Sequence, residues 1–81
     1  MKTIPAAIGR LETALKYGSD MKSSRALCVS DAKELLQQAL KEKPTLMTAA
    51  ILEGALAALS QKAHFSADIR FALTLLENVK T

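Results

Sequence analysis

The sequence predicts a small all-α domain of four helices. Apolar residues recur at helical spacing in four separate stretches, and the breaks between stretches fall at glycine, serine and proline. Aromatic residues make up only 4 %, Tyr17, Phe65 and Phe71 with no tryptophan, so the core must be built from leucine, isoleucine and alanine, a helical composition. With 81 residues the chain has room for one domain, residues 1–81. A domain of this size buries only about 60–65 % of its unfolded surface, so added burial through association would help it.

The first helix is expected over residues 4–17. Thr3 is placed to cap it, Pro5 fits its first turn, and Gly18 is placed to end it in the left-handed conformation. Ile4, Ile8, Leu11 and Leu15, flanked by Ala7 and Ala14, form its apolar stripe, with Arg10, Glu12, Thr13 and Lys16 turned away. The second helix is expected over residues 24–43, capped by Ser23 or Ser24 and stopped by Pro44. Ser30-Asp31 offers an alternative start, but Cys28 and Val29 share a face with Ala32, Leu35, Leu36, Ala39 and Leu40, which favours one continuous helix.

The third helix, residues 46–61 with Thr45 as its cap, is the most apolar part of the chain, and Glu53 is its only charge. At about 100° per residue, Leu52, Leu56 and Leu59 fall on one side and Ala50, Gly54 and Ala58 nearly opposite. Both sides therefore call for a neighbour. A mid-helix glycine costs about 1 kcal/mol against alanine, so Gly54 suggests a close helix approach at that seam. The fourth helix is expected over residues 66–80, with Ser66 as cap and Asp68 in its positively polarised first turn. Ile69, Ala72, Leu73, Leu76 and Val79 form its core face, which Phe71 and Leu75 widen beyond an ordinary apolar stripe. The four helices are expected to pack as antiparallel hairpins.

Catalysis needs a nucleophile or proton-transfer group beside a second orienting group, and the candidates are one cysteine, Cys28, on the expected core face and one histidine, His64, in a connection. No catalytic residues are assigned, and the chain is not expected to be an enzyme. A zinc site needs about four close ligands, and with a single Cys and a single His none is expected. The three glycines are scattered rather than gathered into a phosphate-binding turn, so no cofactor is expected either.

Single Cys28 excludes an internal disulfide, and early charges interrupt the N-terminal stretch where a secretion signal would need an apolar run. A cytoplasmic location is the expectation. The apolar run of the third helix is shorter than the roughly 20 residues a bilayer requires and carries Glu53 at its centre, so no membrane span is expected.

Residues 1–25 hold Lys2, Arg10, Lys16, Lys22 and Arg25 against Glu12 and Asp20, which accounts for the whole net charge of +3. The group Arg10, Lys16, Lys22 and Arg25 suits non-specific phosphate contact. A helix-turn-helix reading fails for want of basic or amide side chains in the body of the third helix, and in the fourth Asp68 and Glu77 flank Arg70, Thr74 and Asn78.

The leading expectation is a small interaction module of adaptor or inhibitor type, self-associating as a homodimer or binding another protein through Leu52, Gly54, Leu56, Phe71 and Leu75. Its short, alanine-rich character suits a bacterial or phage accessory protein. The alternative is a nucleic-acid-associated regulator that uses the basic N-terminal third.

Overall fold

A computed structural model describes residues 3–17, 21–61 and 64–80. It contains four α-helices, α1 (Thr3–Lys16), α2 (Lys22–Lys41), α3 (Leu46–Leu59) and α4 (Ser66–Lys80), and the described residues contain no strand. Each helix packs on its two neighbours around a ring, α1 on α2, α2 on α3, α3 on α4 and α4 back on α1. The long axis measures 38 Å and the cross-section 20 by 19 Å.

Two sets of hydrogen bonds fix the helix directions. Thr3 Oγ1 donates to Glu42 Oε1 at 3.0 Å, joining the start of α1 to the end of α2. At the other end Arg25, in the first turn of α2, reaches Ala14 near the end of α1 and Ser66 at the start of α4. Consecutive helices are therefore antiparallel, as short connections between them require.

The core consists of Ile4, Ala7, Ile8, Leu11 and Ala14 from α1, Val29, Ala32, Leu36 and Ala39 from α2, Leu52, Ala55 and Leu59 from α3, and Ile69, Ala72 and Leu76 from α4. Six of these are alanines, spread over all four helices, which brings the helix axes close enough for leucine, isoleucine and one valine to fill the interior. This is why the fold needs no aromatic core. Cys28, Leu15, Leu35, Leu40, Leu73 and Val79 pack half-buried around it. The apolar faces expected for α1, α2 and α4 are thus the faces that turn inward.

Several helix ends differ from their expected positions, each for a local reason. α2 is continuous through Ser30, but it starts at Lys22, with Met21 in the cap position making no side-chain cap bond, so Ser23 and Ser24 lie inside the helix. It stops at Lys41 rather than residue 43. Lys43, just past the Glu42 cap, takes the left-handed conformation that commonly ends a helix, at φ 56°, ahead of Pro44, which cannot continue it, while Glu42 N–H closes the last turn on the Ala39 carbonyl.

α3 ends at Leu59, where Ser60 Oγ donates back to the Leu56 carbonyl at 2.7 Å. Thr45 does cap α3, its hydroxyl accepting the Thr48 N–H at 3.2 Å. Thr3 is the first helical residue of α1 rather than its cap, and its hydroxyl is used on Glu42. Ser66 likewise lies inside α4: the Phe65 carbonyl accepts the Ile69 N–H, and the Ser66 hydroxyl accepts from Arg25 instead of capping. Gly18, expected to end α1, lies outside the described residues.

Candidate interaction surface

α3 turns one side to the core and leaves the other uncovered. Leu52, Ala55 and Leu59 are buried, whereas Leu46, Met47, Ala50, Glu53, Ala57 and Ser60 are exposed, Leu46 at 92 % and Met47 at 76 % of their full surface. Four of these six are apolar and one is charged. The exposed residues of α2 differ sharply: Lys22, Ser23, Ser30, Glu34, Gln37, Gln38 and Lys41, with Leu27 as the apolar exception in the body of that helix. Ordinary solvation explains the outer side of α2. It does not explain that of α3.

α4 extends the same surface. Gly54 of α3 lies against Leu75 of α4, and a methyl built on Gly54 would meet Leu75 Cδ1 at 3.4 Å. One turn along α4 from Leu75, Phe71 stands 57 % exposed. The uncovered face between α3 and α4 thus combines the small residues Ala50, Gly54 and Ala57 with the larger Met47, Leu75 and Phe71, and with the exposed polar Thr74 and Asn78 beside Phe71 on α4. Glu53 on the α3 flank, and Arg70 and Glu77 on the α4 flank, are exposed and supply polar edges.

The five residues expected on an interaction surface have different fates. Phe71 is exposed, Gly54 and Leu75 are half-buried where α3 meets α4, and Leu56 is half-buried against the core. Leu52 is corrected: at 0 % exposure it belongs to the interior, because the contacts of α3 with α2 and α4 turn that side inward. The seam at Gly54 is corrected in kind as well. What meets it is the flexible tip of a leucine on the neighbouring helix, at ordinary contact distance, and not a helix backbone. Gly54→Ala is therefore expected to fit with little adjustment, and the helix-propensity gain of up to about 1 kcal/mol should appear as a raised midpoint in urea unfolding. A loss of stability there would mean that Leu75 cannot yield.

The four basic residues do not act alike. Arg10, Lys16 and Lys22 are exposed. Arg10 and Lys16 stand on different sides of α1, since six residues turn a helix by about 600°, and Glu12 shares the side of Lys16. Arg25 is half-buried, and its guanidinium is committed within the fold: Nε donates to the Ala14 carbonyl at 3.2 Å, Nη1 to the His64 carbonyl at 2.9 Å and Nη2 to Ser66 Oγ at 3.0 Å. A cation in the first turn of α2 opposes that helix's own dipole, but here it answers the Ala14 carbonyl in the last turn of α1, which also accepts the Tyr17 N–H. This clamp has no motif in the sequence, because its partners lie 11, 39 and 41 residues away.

Cys28 is half-buried beside the core, and His64 is half-buried with its carbonyl engaged by Arg25. Among the described residues no three His, Cys, Asp or Glu side chains gather as metal ligands, and no helix is long and apolar enough to cross a membrane. Every buried side-chain polar atom among them has a hydrogen-bond partner. The chain matches no known protein-family model, no characterised protein and no solved structure.

Proposed function

We propose that this protein is a small interaction module of adaptor or inhibitor type, working in the cytoplasm without catalysis of its own by presenting the outer face of α3 and α4. One observation carries the reading: on a bundle whose α2 is polar outside except at Leu27, the outer side of α3 exposes Leu46, Met47, Ala50 and Ala57 with Glu53 as its single charge. Such a face has a cost in water that a partner removes. The reading as a nucleic-acid-associated regulator has less support. The charge excess lies in residues 1–25, but Arg25 gives its donors to the fold, and Glu12 shares the side of Lys16.

A photo-crosslinking side chain placed at Ala50 tests the proposal in the cell that makes the protein. The expected result is a discrete protein adduct from position 50 and none from Gln37, which is equally exposed on the polar side of α2. Adducts from neither position, or equally from both, would remove the α3–α4 face as an interaction surface.

A further inference from the structure

We propose that residues 42–45 are a hinge through which two copies exchange helical hairpins, the α1–α2 pair of one copy closing on the α3–α4 pair of the other. The packing divides the bundle at this point. α1 packs more extensively on α2, and α3 on α4, than either pair packs on the other, and residues 42–45 are the connection between the two pairs. Among the described residues, the side-chain hydrogen bonds that cross from pair to pair all come from Arg25, to the His64 carbonyl and to Ser66 Oγ.

The hinge is held in a conformation that its residues do not favour. Lys43, at φ 56°, is the only non-glycine at positive φ among the described residues. Glycine is the usual residue at such a helix end, because a Cβ there crowds the following carbonyl oxygen. Pro44 adds a second bias, since its ring favours an extended residue before it. Both effects favour a straightened hinge, which carries α3 away from the α2 of its own chain. Short connections under strain of this kind invite exchange, and four extended residues reach about 13 Å.

Exchange leaves the core intact. The contacts of α1 with α4 and of α2 with α3 are remade between copies, and Arg25 of one copy donates to the partner's His64 carbonyl and the partner's Ser66 hydroxyl. What changes is the hinge and the junction that forms around it. Leu46, the first residue of α3 and 92 % exposed in the single chain, directly follows the hinge and is shielded where the two hinges cross. The outer face of α3 and α4 stays uncovered in the exchanged pair, so the proposal is independent of the reading of that face as an interaction surface.

Unfolding the full chain in urea and refolding it at about 1 mM and at about 5 µM, followed by gel filtration, tests the exchange. The product at the higher concentration is expected to include a species of twice the 8.7 kDa mass of the chain. It should persist for hours after dilution, because exchange back requires the core to open. Lys43→Gly, which accepts the bent hinge, should lower the dimer yield by about fivefold or more. Lys43→Ile, whose β-branched side chain resists that conformation, should raise the yield, with the helical circular dichroism unchanged in both. No dimer from the parent or from Lys43→Ile at the higher concentration would overturn the proposal. So would a dimer whose yield ignores residue 43, or one that returns to monomer within seconds of dilution, as surface association does. Each of these results leaves the crosslinking test at Ala50 to stand or fall by itself.

Discussion

Replacing Arg25 with alanine is expected to destabilise the fold by about 2–3 kcal/mol, read as a lower urea midpoint at unchanged slope. The side chain spans three elements through the Ala14 and His64 carbonyls and the Ser66 hydroxyl. Hydrogen bonds from a charged donor are worth more than neutral ones, and removing the donor leaves partly buried acceptors without it. Ala14 O retains the Tyr17 N–H at 3.2 Å, which sets a ceiling on the loss at that acceptor. Against a total stability of about 4–12 kcal/mol for a domain of this length, the effect is large. Arg25→Lys should recover only a minor part, because one ammonium cannot reproduce a planar fork directed at three acceptors. Lys16→Ala and Lys22→Ala, at exposed positions, should fall within about 0.5 kcal/mol of the parent. If Arg25 were instead part of a solvated basic surface, its lysine variant would match the parent, and all three alanine variants would behave alike.

The contrast between Arg25 and the other basic residues shows where sequence reading reaches and where it stops. In α1, Ile4, Ile8 and Leu11 recur at helical spacing while Arg10, Glu12 and Lys16 fall off that stripe, so periodicity alone identifies the buried side. The same holds for Val29, Ala32, Leu36 and Ala39 in α2 and for Ile69, Ala72 and Leu76 in α4. Thr45 works as a cap because its partner is three residues away, and Pro44 acts on the residue beside it. These are local effects, and the local sequence carries them.

Arg25 depends on helix ends that only the folded ring brings together, and no spacing rule connects residues 14, 25, 64 and 66. Ser66 illustrates the same competition: residue type suggests a cap, but the tertiary partner takes the hydroxyl. α3 was ambiguous for a different reason. An almost uniformly apolar helix has no contrast from which to read a buried side, so the Leu52 side and the Ala50 side of α3 look equally suited to an interface in the sequence, and only the positions of α2 and α4 separate them. The two-sided character of α3 was legible. Which side faces the core was not.

That assignment yields a second large expected effect: Leu52→Ala should cost about 3 kcal/mol, and Leu46→Ala, on the same helix, less than about 0.5 kcal/mol. Both changes delete the same atoms, so the difference isolates burial, 0 % exposure at Leu52 against 92 % at Leu46. The cost at Leu52 combines the lost transfer free energy of the leucine with the cavity left behind. That cavity is hard to close, because six of the fifteen core residues are alanines, with no side-chain length to extend into it, and the surrounding helices are already closely packed. Leu56→Ala, half-buried at the core edge, should fall between the two at about 1–2 kcal/mol. Urea unfolding at a concentration low enough to keep the chain monomeric checks the series. The order Leu52, Leu56, Leu46 follows from α3 facing the interior of its own chain with its leucine side. A large loss at Leu46 that appears only at high protein concentration has a separate origin, since mass action makes a self-associating chain more stable as it is concentrated. Equal losses at Leu46 and Leu52 in the dilute monomer would place the wrong side of α3 in the core and take the α3–α4 surface with it.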